Sequence, residues 1–439
     1  MTDLAEVRPK FASAQGRLTL IVLLGLHVLT CCVSLIYVTQ YYTGYQLFEF
    51  DEARLVPAVL NVAPLALCGI LFALRRFSFG YFLGFYLYTL ALGYLWLAEF
   101  SVYKYDHTLA SLSAMASTVA FLAPALFLAS PVRQRVVLSA RAFDHLLSLI
   151  LIVGASVISI AALYNFRVVG VGDMYALRAQ IEFPLLLRYA IGASSSALLP
   201  FAFACFFIRG HRWRAAAALT LLLLFYPVTL TKVALFAPIW LLFLASLATL
   251  FEARIAVLSS LALPALLGVI LVPLERHGVI SYVYFKEYFG TVNFRMLAVP
   301  SVALDMYNDF FSRHELTHFC QILFLKRFVS CPYSDYLSVV MLKNYQLGNV
   351  NASLFATEGI ASVGPKWAPL SIFVCGLVAA LGNRLSAGLP PKLVLLSAGV
   401  LTQILLNVPL STSLLSYGAA LLFLLWYVTP REMFERNAS

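Results

Sequence analysis

Asp305-Met306-Tyr307-Asn308-Asp309-Phe310-Phe311-Ser312-Arg313-His314-Glu315-Leu316-Thr317-His318-Phe319 crowds carboxylates, imidazoles, an amide and aromatic rings into one short stretch. It sits near the middle of a polar, aromatic-rich interval that runs from Leu274 to Lys366, while the rest of the chain is largely a succession of apolar runs. That contrast decides the fold class. The chain reads as an all-α polytopic membrane protein whose titratable groups are held in one long loop, 274–366, outside the bilayer. Loops positioned by a rigid scaffold are where binding and catalysis concentrate, so chemistry is expected there.

Working outward, the composition agrees. The 439 residues are 62% hydrophobic and 11% charged, whereas about a quarter of the residues in a soluble domain are charged. Apolar runs able to cross a hydrocarbon core of roughly 30 Å lie near 18–39, 54–74, 79–102, 109–130, 145–164, 186–208, 215–231, 233–251, 255–273, 367–383, 393–408 and 413–428, which makes twelve expected spans. Residues 215–251 are too long for one crossing, and Pro227, Lys232 and Pro238 interrupt them, so two short helices should meet near Lys232. With no internal repeat visible, residues 1–439 form a single integral membrane domain. A second outer loop covers 165–185.

The formal net charge of +10 would suggest nucleic acid in a soluble domain. Here the basic residues cluster in short links between apolar runs, as topology signals do, and nucleic acid is not an expected partner. With a cytoplasmic N-terminus, sixteen Lys and Arg fall in inside segments and six in short outside ones, the long loop holding the other eight. Both termini are therefore expected on the cytoplasmic side, with the long loop outside. Met1 to Gly16 reads as a short tail before a retained first span.

Of the seven cysteines, five lie in apolar runs, and only Cys320 and Cys331 share the polar interval. Those two either pair, if the loop faces an oxidising compartment, or remain as thiols. Tyr333, Tyr336, Leu337, Val340 and Met341 fall on one helical stripe, which suggests an amphipathic helix at the membrane surface. Tyr282, Tyr284, Phe285, Tyr288 and Phe289 fit an interfacial aromatic belt.

The chain carries no nucleotide-binding loop, dinucleotide fingerprint or zinc-protease motif. His314 and His318 flank Glu315 at helical spacing without a further ligand nearby, so neither metal nor other cofactor is expected. Cations on the outer side run against the topology bias. They are Arg178 and Arg188 in the second loop, Lys232 at the helix turn, and Arg295 and Arg313 in the long loop. Guanidinium forks match phosphate oxygens, and converging fixed cations can stabilise a departing diphosphate. The other reading pairs each with Asp173, Glu182 or Asp309. His318, His314, Glu358, Asp309 and Asp305 are the candidate general bases.

Several patterns together resemble the bacterial O-antigen polymerase group, the oligosaccharide repeat-unit polymerases. They are Tyr175-x-x-Arg178, Val228-Thr-Leu-Thr231-Lys232, Arg295-x-x-x-x-Pro300 before Tyr307-x-x-x-Phe311, Thr317-His318-Phe319-x-Gln321, and Asn349-x-Asn351-Ala352-x-x-Phe355-Ala356-x-x-Gly359-x-x-x-x-Gly364. The resemblance covers the middle and last third of the chain. It implies a multi-span glycosyltransferase of the bacterial inner membrane that joins undecaprenyl-diphosphate-linked oligosaccharides without a cofactor. Arg178, Arg188, Lys232 and Arg295 would correspond to diphosphate binding, His318 or Glu358 to deprotonation of the acceptor hydroxyl, and Tyr307, Asn349 and Asn351 to substrate binding. Membrane lipids, a chain-length regulator and a flippase would be partners. Two other functions stand beside it: an O-antigen ligase, which uses the same donor and shares the plan, and a transporter of lipid-linked oligosaccharide, which the nearly charge-free spans and the lack of a repeat disfavour.

Overall fold

The computed structural model describes residues 14–170, 174–178, 181–322, 325–347 and 353–435. These residues form helices and no strand, apart from one isolated bridge between Phe48 and Ser101. Among the described residues, nine helices are long and apolar enough to cross a membrane. They are α1 (Ala14–Tyr41), α2 (Glu52–Leu74), α3 (Phe79–Phe100), α4 (His107–Phe127), α5 (Ala140–Ala162), α6 (Leu185–Ile208), α8 (Lys232–Leu250), α9 (Ala253–Arg276) and α13 (Phe355–Ser386). The other three expected spans fall on helices α7 (Arg212–Thr229), α14 (Pro391–Leu405) and α16 (Ala419–Val428). The break near Lys232 is as the sequence suggests. Helix α7 ends at Thr229, Leu230 takes a left-handed φ of 47°, and the Thr231 hydroxyl caps α8 by accepting from the Ala234 N–H.

Helix α3 is the axis of the bundle. It is apolar on every face and buried along its whole length, as a helix surrounded by others must be. Because lipid tails are as apolar as leucine, such helices are held by close packing and by polar pairs between them. A Cβ on Gly84 would come within 2.8 Å of Leu122 on α4, so its absence lets those two helices approach. The Asn383 amide on α13 accepts from the Gly80 N–H and donates to the Ala125 carbonyl, tying α3, α4 and α13 at one end. Tyr86 meets Ser260 of α9 at 2.6 Å, and His27 of α1 meets Thr89 at 2.9 Å.

The interval 274–366 departs from a simple extramembrane loop. After α9 the chain turns and forms α10 (Tyr282–Phe289), a π-helical segment Gly290–Ala298 and α11 (Val299–Phe311) as one helical run. Every residue of α11 beyond its first is buried. The Asn293 amide donates to Ser34 of α1 and to the Ala265 carbonyl of α9, and Ser301 donates to the Leu90 carbonyl of α3. Polar residues lowered the apparent hydropathy of this run, but Asn293, Ser301, Asp305 and Asn308 find partners elsewhere in the protein. Of the expected aromatic belt, Phe285 and Phe289 are buried against Tyr41, while Tyr282 and Tyr284 are exposed.

What remains outside the bundle is a compact cap, residues 312–322 and 325–347. Cys320 and Cys331 form a disulfide with Cα atoms 5.3 Å apart. The expected amphipathic helix is α12 (Leu337–Tyr345). Its Leu337 and Met341 pack into the protein core, whereas Tyr336 just before it is exposed.

Candidate functional site

The cap is stapled onto the start of α13. Thr317 donates its backbone N–H to the Ala361 carbonyl at 2.8 Å, its hydroxyl lies 3.2 Å from that of Ser362, and the His318 N–H reaches the Ser362 carbonyl at 3.2 Å. Gly364, with a φ of 74°, kinks the helix three residues after the π-helical segment Phe355–Ala361 that leads into the span. Between the turn and the π-helix lies a narrow cleft whose lining includes Thr317, Phe319, Gln321, Thr357, Glu358 and Ser411.

Glu358 is the ionisable group of that cleft, 7% exposed. Its carboxylate accepts from the Thr357 hydroxyl and, at 3.2 Å, from the Ser411 N–H. Ser411 lies in the first turn of α15 (Leu410–Leu415), so the carboxylate holds the start of that helix. Tyr307 of α11 is fully buried, and its phenol is pushed up by burial and, second, by the nearby Glu358 charge. At the far end of α15, Tyr417 feels the charge of Arg178. Tyr417 follows Ser411 by six positions, the last two beyond the end of α15.

The expected site residues are thus distributed. Glu358 and Tyr307 are neighbours, and Arg178 lies near Tyr417, beyond the other end of α15 from Ser411. Arg188 is exposed on α6, whose later residue Gly192 presses against the Ser416 carbonyl. Lys232 is half-buried at the start of α8. Arg295 is exposed and acts on Tyr42 at the end of α1. It lies twelve residues before Tyr307 on one helical run, roughly 15–18 Å away. No lysine or arginine is among the residues that line the cleft. His318 is exposed on the rim, with its backbone rather than its ring engaged. Asn349 and Asn351 lie outside the described residues.

His314 stacks on Phe310 with ring centroids 3.9 Å apart and bonds the Phe310 carbonyl. Among the described residues no group of three or more His, Cys, Asp or Glu side chains is placed to hold a metal ion. Arg313 pairs with Asp309, which also accepts from Tyr345 at 2.6 Å, so this cation has the carboxylate partner that one reading of the sequence gave it.

Asp305, another of the candidate bases, is also buried. Asp305 accepts from Ser101 at 2.7 Å and from Tyr105, whose hydroxyl lies 3.1 Å from that of Tyr94. Tyr94 in turn accepts from the Asn308 amide. Burial pushes the Asp305 carboxyl up to about 6, against the pull of the Ser101 and Tyr105 hydroxyls. Ser411, Thr357 and Tyr417 were missed because nothing local marks them; Ser411 meets Glu358 across 53 residues of chain.

Comparison with protein-family models, with curated proteins and with solved structures finds no match to this chain.

Proposed function

We propose that the protein transfers a glycan from a lipid-linked diphosphate to a sugar hydroxyl on a second lipid-linked repeat unit, at the outer face of a bacterial inner membrane. The observation that carries this reading is the buried Glu358 carboxylate at the base of a cleft roofed by a polar cap. A carboxylate removed from bulk water and held in place by two donors is suited to take a proton from an incoming hydroxyl. In that mechanism Glu358 is the general base. The hydroxyl oxygen attacks the anomeric carbon as the bond to the diphosphate breaks, and Arg178, near Tyr417 beyond α15, stabilises the leaving charge. His318 is the alternative base on the rim, and Arg188 a second cation facing the diphosphate. The cap disulfide supports an oxidising, extracytoplasmic side for this face.

The test is reconstitution. Purified protein given only lipid-diphosphate-linked repeat units should yield a ladder of products, and Glu358→Gln should abolish it while the protein keeps its melting temperature. A requirement for a separate lipid-core acceptor would replace polymerisation by ligation. A transporter remains the second reading because Asp305 and Glu358 are ionisable groups buried in the bundle, the kind that relays protons in carriers. Proton-coupled movement of the lipid-linked glycan across proteoliposomes, without ladder formation, would favour it.

A further inference from the structure

We infer that the cap turn His318–Gln321 forms a neutral-sugar subsite, with Phe319 as stacking platform and Gln321 as hydrogen-bonding arm; this rests on the glycosyl-transfer reading above. The observation behind it is a strained backbone with a purpose visible in the geometry. His318 and Phe319 both take left-handed φ, 46° and 62°, a conformation that costs non-glycine residues energy and persists only where the surroundings impose it. Here they do impose it. Thr317 and His318 are bonded to the Ala361 and Ser362 carbonyls, the Cys320 N–H closes back on the Thr317 carbonyl at 2.9 Å, and the disulfide anchors the buried Cys320. The result is that Phe319 and Gln321 both line the cleft that holds Glu358.

The chemistry of that lining selects the ligand class. An anion would be repelled by Glu358, with no lysine or arginine in the lining to offset it. An acyl chain would have to desolvate Gln321, Thr317, Glu358 and Ser411 without bonding to them. An uncharged sugar at the cleft mouth matches the chemistry of both halves: its C–H face would lie on an aromatic ring, and its hydroxyl edge would both donate to a carboxylate and exchange bonds with an amide. Phe319 and Gln321 would therefore hold the acceptor sugar while Glu358 takes its proton.

The full chain in detergent is titrated with an uncharged, lipid-free repeat-unit oligosaccharide and followed by saturation-transfer NMR, alongside ladder formation with the lipid-linked substrates. Wild type should bind the glycan. Phe319→Ala and Gln321→Ala should each weaken binding about tenfold or more, Phe319→Trp should retain it, and Glu358→Gln should bind while failing to extend. Gln321 is exposed, so its truncation does not threaten folding. Wild-type affinity in both alanine variants, or no glycan binding by a wild type that still makes ladders, overturns the subsite and leaves the transfer reading standing. A wild type that neither binds nor extends overturns both.

Discussion

Glu358 accepts from a hydroxyl and from a backbone N–H at once, which makes glutamine the informative replacement: it keeps an acceptor oxygen and the shape while removing the charge. The expected loss in turnover is about 10²- to 10⁴-fold, the usual contribution of a positioned base, with expression and melting unchanged. Arg178→Ala should cost about 10²- to 10³-fold if it stabilises the departing diphosphate, and Arg178→Lys should restore only part, because an ammonium lacks the fork. Both are read from initial rates of ladder formation; a fully active Arg178→Ala would remove that residue from the mechanism. Asp305 makes a different prediction. Unfolded, its carboxyl titrates near the ordinary 3.8, and folded at about 6. Between those values the native state holds the extra proton, so this contribution is full below about pH 4 and is lost as pH rises through about 6. The change is on the order of 3 kcal/mol. Melting of the detergent-solubilised protein should therefore decline across that range, and Asp305→Asn should flatten the decline. An unchanged slope in the variant would show that other groups are responsible.

Among elements, the helical run 282–311 and the cap it leads into were only partly legible in the sequence. Asn293, Ser301, Asp305 and Asn308 make the run look like loop to a hydropathy scale, since no local signal says that each will meet a partner on α1, α3, α9 or the link after α3. Close approach makes the packing sensitive. A Cβ on Gly268 of α9 would lie 1.8 Å from the Asn293 amide oxygen. Gly268→Ala must therefore displace an amide that bonds both Ser34 and Ala265, and a loss of about 1–3 kcal/mol is expected. Thermal melting of the variant checks this, and a wild-type midpoint would mean that the run is not seated there. The cap has its own staple. Cys331→Ser opens a short loop closed by residues eleven apart, which should remove about 2–3 kcal/mol of local stability. Limited proteolysis of oriented vesicles should then cleave the cap faster while α1 to α9 stay protected. Equal cleavage rates with and without the disulfide would contradict that account.

For the whole molecule, the distribution of basic residues predicts both termini on the cytoplasmic side and the cap outside. Reporter fusions after Ser386 and within the cap, or labelling of single cysteines placed at 333 and 384, test it directly: reagent that does not cross the membrane should reach the first and not the second. That the chain is a bundle of apolar helices followed from composition, because a segment of about twenty apolar residues has no other stable state in lipid than a helix. Glu358 could be singled out from the sequence as a titratable residue just before a span, and Cys320 and Cys331 as a possible pair. Which cations share a neighbourhood could not. Arg178, Arg295 and Lys232 look alike as outer-side charges, yet one sits near Tyr417, one near Tyr42 and one at a helix start. The sequence by itself determined the class, the helical segments and the polar interval, since these depend on local hydrophobicity and charge. Tertiary structure alone decided that a polar run enters the bundle, and that Glu358 faces Ser411, Tyr307 and a disulfide-held cap, because contacts between residues far apart in the chain depend on how whole helices pack.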